Sequence, residues 1–213
     1  MEISLSILTI DYTNVQQELN KYNGNLKYLH LDVMDGNFVP NISFGPAFIK
    51  SLRQKNESFI FDTHLMINNP ANYIEKFADA GSDYITFHIE AVDNPLEVIN
   101  QIKSYGCKAG ISIKPNTSVD SIVPYLGELD MVLIMSVEPG FGGQKFMSSA
   151  IEKAKQLKEL KEENDYNYLI NIDGGINDTT LPLVSDYLDL AVSGSYVVNA
   201  ANPLDNLLKL KNI

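Results

Sequence analysis

Two side chains that commonly bind metal ions stand one residue apart early in the chain. His30 and Asp32 flank Leu31 in a run of apolar and β-branched residues that is typical of a strand. Successive strand side chains point to opposite faces, so the imidazole and the carboxylate share one face, roughly 6.5–7 Å apart along the chain. Burying both without partners is unfavourable because each loses its water, and a divalent cation would satisfy both. A structural hydrogen bond or salt bridge explains the pair alone equally well.

Two later residues complete a candidate set of metal ligands. His64 lies near the end of the third strand-like run, and Asp173 lies at the end of the seventh. Two imidazoles and two carboxylates suit Zn²⁺, Fe²⁺, Mn²⁺ or Co²⁺ and disfavour Ca²⁺, which prefers oxygen ligands. The sequence therefore indicates one divalent metal ion, for which we favour Zn²⁺ or Fe²⁺. His88 and Glu90, after the fourth run, are interpreted as supporting or structural residues rather than ligands.

Three glycine-rich segments follow late strand-like runs, at residues 139–143, 173–175 and 193–195. Glycine allows backbone N–H groups to approach an anion closely, as in many phosphate-binding loops. None of the three contains Gly-Lys-Ser/Thr or Gly-x-Gly-x-x-Gly, so a nucleotide-binding loop is not indicated. Tight turns would explain one such cluster, but three together favour a phosphate-binding rim.

Eight strand-like runs alternate with amphipathic stretches of helical period. The runs span residues 3–8, 26–33, 59–65, 84–88, 108–113, 131–137, 168–172 and 188–192. Alternation predicts a parallel sheet with helical crossovers, and the count of eight favours a closed (β/α)8 barrel over an open sheet. We expect residues 1–213 to form one such domain, with the chemistry at the carboxyl ends of its strands.

The composition excludes several classes of function. The 213 residues include 27 acidic and 16 basic side chains, giving a formal net charge of −11, which argues against nucleic acid or an anionic membrane surface as partner. No apolar run approaches the roughly 18–20 residues of a membrane span, and the start lacks the basic region of a signal peptide. Cys107 is the only cysteine. We therefore expect a soluble, cytoplasmic protein without disulfides.

Several long motifs occur in a characteristic order. Residues 30–41 read His-Leu-Asp-Val-Met-Asp-Gly-Asn-Phe-Val-Pro-Asn, followed by His-Leu-Met at 64–66, Phe-His-Ile-Glu-Ala at 87–91 and Lys-Pro-Asn-Thr at 114–117. Val-Glu-Pro-Gly-Phe-Gly-Gly-Gln-Lys-Phe at 137–146 and Asp-Gly-Gly-Ile at 173–176 complete the series. In these motifs the chain resembles the ribulose-phosphate 3-epimerases over nearly its whole length. The first motif departs, since Leu-Ser-Ile-Leu-Thr-Ile-Asp at 5–11 keeps only part of the usual Pro-Ser-Ile-Leu-Ser-Ala-Asp.

The resemblance implies a TIM barrel of the ribulose-phosphate-binding type that interconverts D-ribulose 5-phosphate and D-xylulose 5-phosphate in pentose-phosphate metabolism. It implies that Asp32 and Asp173 are both metal ligands and the acid/base pair, and that the protein forms dimers or hexamers. The residues implied to contact substrate are Ser6, His64, Gly140, Phe141, Gly142, Gly143, Gly174, Gly175, Gly194 and Ser195. Met34, Met66 and Met135 are candidates to line the site, and loop 36–44 is either a lid or a fixed surface loop.

Three other functions are consistent with parts of the pattern. Epimerases of six-carbon substrates such as allulose 6-phosphate would use the same metal and aspartates, but tend to alter the Gly-Phe-Gly-Gly and Asp-Gly-Gly motifs, which are intact here. Decarboxylases and aldolases of the orotidylate or hexulose-phosphate type use Asp-x-Lys-x-x-Asp, where this chain has Met34 in the lysine position. A non-catalytic sugar-phosphate sensor is expected to have lost a ligand or an acid/base residue, and none of the four is missing.

Overall fold

Eight parallel strands close into one barrel in the order β1 to β8, with β8 pairing back onto β1. The computed structural model describes residues 1–22 and 24–213. The strands are β1 (Glu2–Ser6), β2 (Tyr28–Met34), β3 (Ile60–Met66), β4 (Tyr84–His88), β5 (Lys108–Ile113), β6 (Met131–Met135), β7 (Leu169–Asp173) and β8 (Leu190–Ser193). Each one falls on a predicted run, so the (β/α)8 barrel is confirmed.

Seven α-helices lie outside the barrel in the described part of the chain. They are α1 (Val15–Asn20), α2 (Pro46–Arg53), α3 (Ile74–Asp79), α4 (Pro95–Ser104), α5 (Ser149–Glu163), α6 (Ser195–Val198) and α7 (Pro203–Lys211). The fully described crossovers that follow β5 and β7 contain only short 3₁₀ segments, at Val119–Ser121, Val123–Glu128, Leu181–Leu183 and Ser185–Tyr187. Pro124 and Pro182 lie within these segments, and proline disrupts the hydrogen-bond ladder of a longer helix.

The alternation of side chains along each strand separates an apolar outer shell from a partly polar barrel interior. On β2, Leu29, Leu31 and Val33 join the main hydrophobic cluster beneath the helices. His30 and Asp32 point inward and are buried. The amino-terminal end of the barrel is closed by an apolar layer of Tyr28, Tyr84, Met131 and Leu190. The polar side chains of the interior therefore gather toward the other end, where the strands terminate.

Among the described helices, none is both long enough and apolar enough to cross a membrane.

Candidate active site

Three strands bring the four predicted ligands together at the carboxyl end of the barrel. Asp32 lies directly beside His64 in the register of β2 and β3. One ligand atom from each of His30, Asp32, His64 and Asp173 lies within 4.8 Å of all the others. His30 Nε2 and His64 Nδ1 are each 3.2 Å from Asp32 Oδ1, and His30 Nε2 is 3.8 Å from Asp173 Oδ2. The cluster therefore has the dimensions and donors of a site for a divalent cation.

The hydrogen bonding of His30 fits a metal ligand. Its Nδ1 lies 2.7 Å from Asp62 Oδ2 and is positioned to donate to that carboxylate. The other ring nitrogen, Nε2, is buried and has no hydrogen-bond partner among the described residues. With the proton on Nδ1, the lone pair of Nε2 points into the cluster, which is the arrangement that a cation requires.

The electrostatics of the cluster also favour an added positive charge. Burial, and secondly the charge of Asp32, raises the pKa of Asp173 to about 6. Burial opposes a charge on His30, yet the neighbouring Asp32 and Asp62 raise the pKa of its imidazole well above the usual value. Asp32 shows the reverse, because His30 and then His64 lower its pKa although burial acts to raise it. A divalent cation would supply the positive charge that these carboxylates otherwise draw from a histidine.

Asp62 is the supporting residue that the sequence interpretation missed. It is fully buried and lies two residues before His64 on the same face of β3, opposite His30 in the neighbouring strand. Asn171 Nδ2 on β7 donates to the same Asp62 oxygen over 3.2 Å. The signal was present in the chain, since Asp62-Thr63-His64 reverses the order of His30-Leu31-Asp32.

A second supporting set extends from His64 away from the cluster. His64 Nε2 lies 2.9 Å from His88 Nε2, and His88 Nδ1 lies 3.1 Å from Glu90 Oε2. Burial lowers the pKa of His88 to about 4, so its ring is neutral near pH 7. Burial acts to raise the pKa of Glu90, but hydrogen bonds from His88, Thr117 and the Lys114 backbone lower it to about 2. His88 therefore contacts His64 of the cluster, and Glu90 contacts His88.

A cavity of about 280 Å³ opens above the cluster at the barrel mouth. Met34, Met66 and Met135 line it. It is also lined by eleven of the residues expected to act in catalysis or substrate binding: Ser6, Asp32, Gly140, Phe141, Gly142, Gly143, Asp173, Gly174, Gly175, Gly194 and Ser195. His64, also expected to contact substrate, is fully buried below the cavity and is not among its lining residues. The described residues that do line it include no lysine or arginine, so an anion there would rely on N–H and hydroxyl groups.

The comparisons with known proteins identify the family. The model of the ribulose-phosphate 3 epimerase family matches residues 2–198. The chain belongs to this family. It is 41% identical over 202 residues to the ribulose-phosphate 3-epimerase of Mycobacterium tuberculosis, covering 94% of this chain and 87% of the relative. It is 40% identical over 200 residues to that of Bacillus subtilis, covering 92% of each chain.

A solved structure shares the fold at much lower identity. The 3-hexulose-6-phosphate synthase of Salmonella typhimurium superimposes with a TM-score of 0.75 at 18% identity, over 100% of this chain and 97% of that one. That likeness concerns the barrel alone, whereas membership of the epimerase family makes this chain an enzyme of the isomerase class.

In this member of the epimerase family, Ser6 has a structural contact that its motif did not predict. Its Oγ donates to Asp32 Oδ2 over 2.8 Å, so the serine holds the carboxylate whose other oxygen lies beside His30 and His64. Ser136 fixes the backbone at the end of β7, since its Oγ donates to the Asp173 carbonyl over 2.9 Å and to the Gly174 carbonyl over 2.6 Å. A serine at the end of β1 thus fixes the Asp32 side chain, and a serine directly after β6 fixes the backbone at Asp173.

Loop 36–44 of this epimerase is attached at its base and across the mouth. Ser43 Oγ lies 2.5 Å from the Asp32 carbonyl and accepts from the Met34 N–H over 3.0 Å. Asn41 Nδ2 donates to the Gly140 carbonyl over 2.7 Å, which connects the loop to the segment after β6. Val39 of this loop is buried and packs with Met34 and Met66. The loop is therefore attached beside the cavity mouth, although none of its residues lines the 280 Å³ cavity itself.

Proposed function

We propose that this protein is a metal-dependent epimerase that interconverts D-ribulose 5-phosphate and D-xylulose 5-phosphate. The observation that carries the proposal is the convergence of Asp32 and Asp173, from strands three positions apart around the barrel, on one cluster with His30 and His64. The relatives that match over most of the chain bear the name of this activity.

Epimerisation at C3 requires removing a proton next to a carbonyl and returning one on the other face. Asp32 takes the proton from one face and Asp173 donates a proton to the other, and the two exchange roles in the reverse reaction. Opposite pKa shifts, downward for Asp32 and upward to about 6 for Asp173, favour one proton acceptor and one proton donor. Ser6 fixes the carboxylate of Asp32, and Ser136 fixes the backbone at Asp173.

The residues fit a divalent ion held by His30, Asp32, His64 and Asp173, with Zn²⁺ or Fe²⁺ favoured over Mn²⁺ or Co²⁺. When bound, such an ion supplies Lewis acidity that stabilises negative charge on the oxygens at C2 and C3 of the substrate. The buried side chains of Met34, Met66 and Met135 exclude water around those oxygens.

The phosphate group binds at the glycine-rich side of the cavity. Gly140, Gly143, Gly174 and Gly175 all have positive φ values, a conformation that lets the backbone turn its N–H groups toward a bound anion. Gly194 and Ser195 border the same cavity after β8, where phosphate sites of this fold commonly lie. Phe141, 54% exposed, covers the opening near this end.

Substitution of either aspartate by asparagine tests the acid/base assignment. For Asp32→Asn and Asp173→Asn we expect turnover of ribulose 5-phosphate to fall by roughly 100-fold to 10,000-fold, the range for loss of a positioned acid or base. Deuterium incorporation at C3, followed by NMR in D₂O, should persist in each variant only with the epimer whose C3 proton faces the remaining aspartate. Asp93→Asn, at an exposed position, serves as the matched control and should retain activity. Near-normal epimerisation by either site variant would overturn the assignment, and faster turnover of allulose 6-phosphate would reassign the substrate.

We also propose that the enzyme acts in the cytoplasm, within pentose-phosphate metabolism, as a homo-oligomer of two or six chains. Cys107 is a buried free thiol, which is consistent with a reducing compartment. Light scattering coupled to size-exclusion chromatography measures the number of chains.

A further inference from the structure

The ring of His64 contacts polar groups through both of its nitrogens. Nδ1 faces the cluster, 3.2 Å from Asp32 Oδ1, and Nε2 faces His88 Nε2 over 2.9 Å. A neutral imidazole carries one proton, so only one nitrogen can offer a lone pair to a metal ion. The hydrogen bonding of Nε2 therefore determines whether His64 can bind a metal ion through Nδ1.

The far end of this set fixes where the protons lie. The backbone N–H of Lys114 donates to Glu90 Oε1 over 2.8 Å, and the hydroxyl of Thr117 contacts the same oxygen. A backbone N–H can only donate, so Oε1 must accept. Glu90 Oε2, 3.1 Å from His88 Nδ1, is then the second acceptor of the same carboxylate.

The proton positions follow in sequence from this carboxylate. His88 must carry its proton on Nδ1 to donate to Glu90, so its Nε2 offers a lone pair. His64 must then carry its proton on Nε2 to donate across the 2.9 Å contact with His88. Its Nδ1 is left with a lone pair directed at the cluster. In the opposite arrangement, lone pairs of His88 Nδ1 and Glu90 would face each other where no cation site lies, which is unfavourable in a buried site. In the inferred arrangement the facing lone pairs are those of His64 Nδ1 and Asp32 Oδ1, 3.2 Å apart, and a cation held by the cluster would satisfy both.

We propose that Glu90, acting through His88, is a positioning residue that holds His64 in the Nε2–H tautomer and so prepares Nδ1 to bind the metal ion. This inference rests on the metal site of the proposed function. It assigns a role to Glu90 and His88, which lie outside the ligand set. It also means that the two histidine ligands are oriented in different ways. Asp62 orients His30 directly, whereas Glu90 orients His64 through a second imidazole.

Packing keeps this hydrogen-bonded set in place. The rings of His64 and His88 lie 5.0 Å apart at 33° between planes, and both side chains are fully buried. Phe38, from loop 36–44, covers the other side of His88 with ring centroids 4.8 Å apart. Lys114 Nζ in turn lies 3.9 Å from the centroid of Phe38. Of His64, His88 and Glu90, it is Glu90 that is partly exposed, with 23% of its side chain accessible to solvent.

Glu90→Gln is the sharpest test because it changes the hydrogen-bonding pattern without changing the shape. The Lys114 N–H still requires an acceptor, so the glutamine oxygen takes the position of Oε1 and its NH₂ group faces His88 Nδ1. His88 then carries its proton on Nε2, and His64 carries its proton on Nδ1. With that proton in place, His64 Nδ1 cannot bind the metal ion. We expect the dissociation constant for Mn²⁺, measured by calorimetry, to rise roughly 10-fold to 100-fold, as for other residues that orient metal ligands.

Two further variants separate this role from a general structural one. Thr117→Val removes another hydrogen bond to Glu90 but leaves the acceptor for His88, so it should change Mn²⁺ affinity much less than Glu90→Gln. In a His88→Phe background, Glu90→Gln should cause no further loss, because Glu90 acts only through His88. Thermal melts of the metal-free proteins check that each variant is folded.

The tautomers themselves are measurable. Long-range ¹H–¹⁵N NMR of the Zn²⁺-loaded wild-type protein should show His64 protonated at Nε2 and His88 at Nδ1. A His88 ring protonated at Nε2, or Mn²⁺ binding by Glu90→Gln as tight as wild type, would overturn the inference while leaving the metal site intact. Absence of Mn²⁺ and Zn²⁺ binding in the wild-type protein would overturn the metal site itself, and this role for Glu90 with it.

Discussion

Three side chains of the cluster, and the backbone of the fourth residue, each contact a group that is not itself in the cluster. Asp62 faces His30, His88 faces His64, and Ser6 donates to Asp32. Ser136 holds the backbone on which Asp173 ends β7. Carboxylates and imidazoles packed this closely repel or mispair unless their rotamers and protons are fixed. The residues around the cluster therefore determine its geometry as much as the strands do.

Asp62 allows this point to be tested at one residue. In Asp62→Leu, His30 Nδ1 loses its acceptor and nothing keeps the lone pair of Nε2 directed at the cluster, so we expect Mn²⁺ affinity to fall roughly 10-fold to 100-fold. Asp62→Asn retains an oxygen that accepts from Nδ1 and should lose less affinity. Calorimetric titration of both folded variants measures the difference. Equal affinity of Asp62→Leu and wild type would show that His30 needs no such support.

At the scale of elements, the segments after β6 and β7 pack against each other through glycine. A Cβ atom at Gly175 would lie 2.5 Å from the backbone nitrogen of Phe146, and one at Gly174 would lie 2.6 Å from a methyl carbon of Val137. Both glycines also have positive φ values, 65° and 123°. No larger residue could bring these two segments so close, so the glycines define this wall of the cavity.

Gly175→Ala and Gly106→Ala form a matched pair that separates backbone strain from loop packing. Both glycines have positive φ, which costs alanine about 1–2 kcal/mol, but a Cβ at Gly106 meets nothing within 4 Å. We expect both variants to melt at lower temperature. Only Gly175→Ala must also displace residues 144–146, so its KM for ribulose 5-phosphate should rise. A similar KM for the two variants would argue against a substrate role for this wall.

The strands, and the shared inward face of His30 and Asp32, could be predicted from the sequence because both depend on local order. That His64 and Asp173 approach this pair was expected only from the rule that strand ends of a (β/α)8 barrel meet at one rim. Alternating buried side chains mark β2, and His30 and Asp32 share a face for the same reason. Asp62 and the role of His88 depend on which strands become neighbours, which one strand does not reveal. The 3₁₀ crossovers after β5 and β7 were missed because apolar spacing suggested helices, whereas Pro124 and Pro182 restrict the backbone there.

For the whole molecule, closure of the barrel brings residues from distant parts of the sequence into one site. Asp32 and Asp173 are 141 positions apart in the chain, yet β8 pairs with β1 and brings β7 within three strands of β2. The same closure concentrates buried negative charge at one rim of a protein whose net charge is already −11. An anionic substrate must therefore be held by local groups against an unfavourable overall field.

The overall negative charge of the protein predicts how the rate of substrate capture depends on salt concentration. The described residues lining the cavity include no lysine or arginine, and the net charge is −11, so long-range attraction of a sugar phosphate is absent. Added NaCl screens repulsion rather than attraction, so kcat/KM for ribulose 5-phosphate should stay level or rise slightly between about 0.01 and 0.2 M. Chloride is used because phosphate buffer would compete for the glycine-rich side of the cavity. A steep fall of kcat/KM with NaCl would show that local cations, not backbone N–H groups, capture the phosphate.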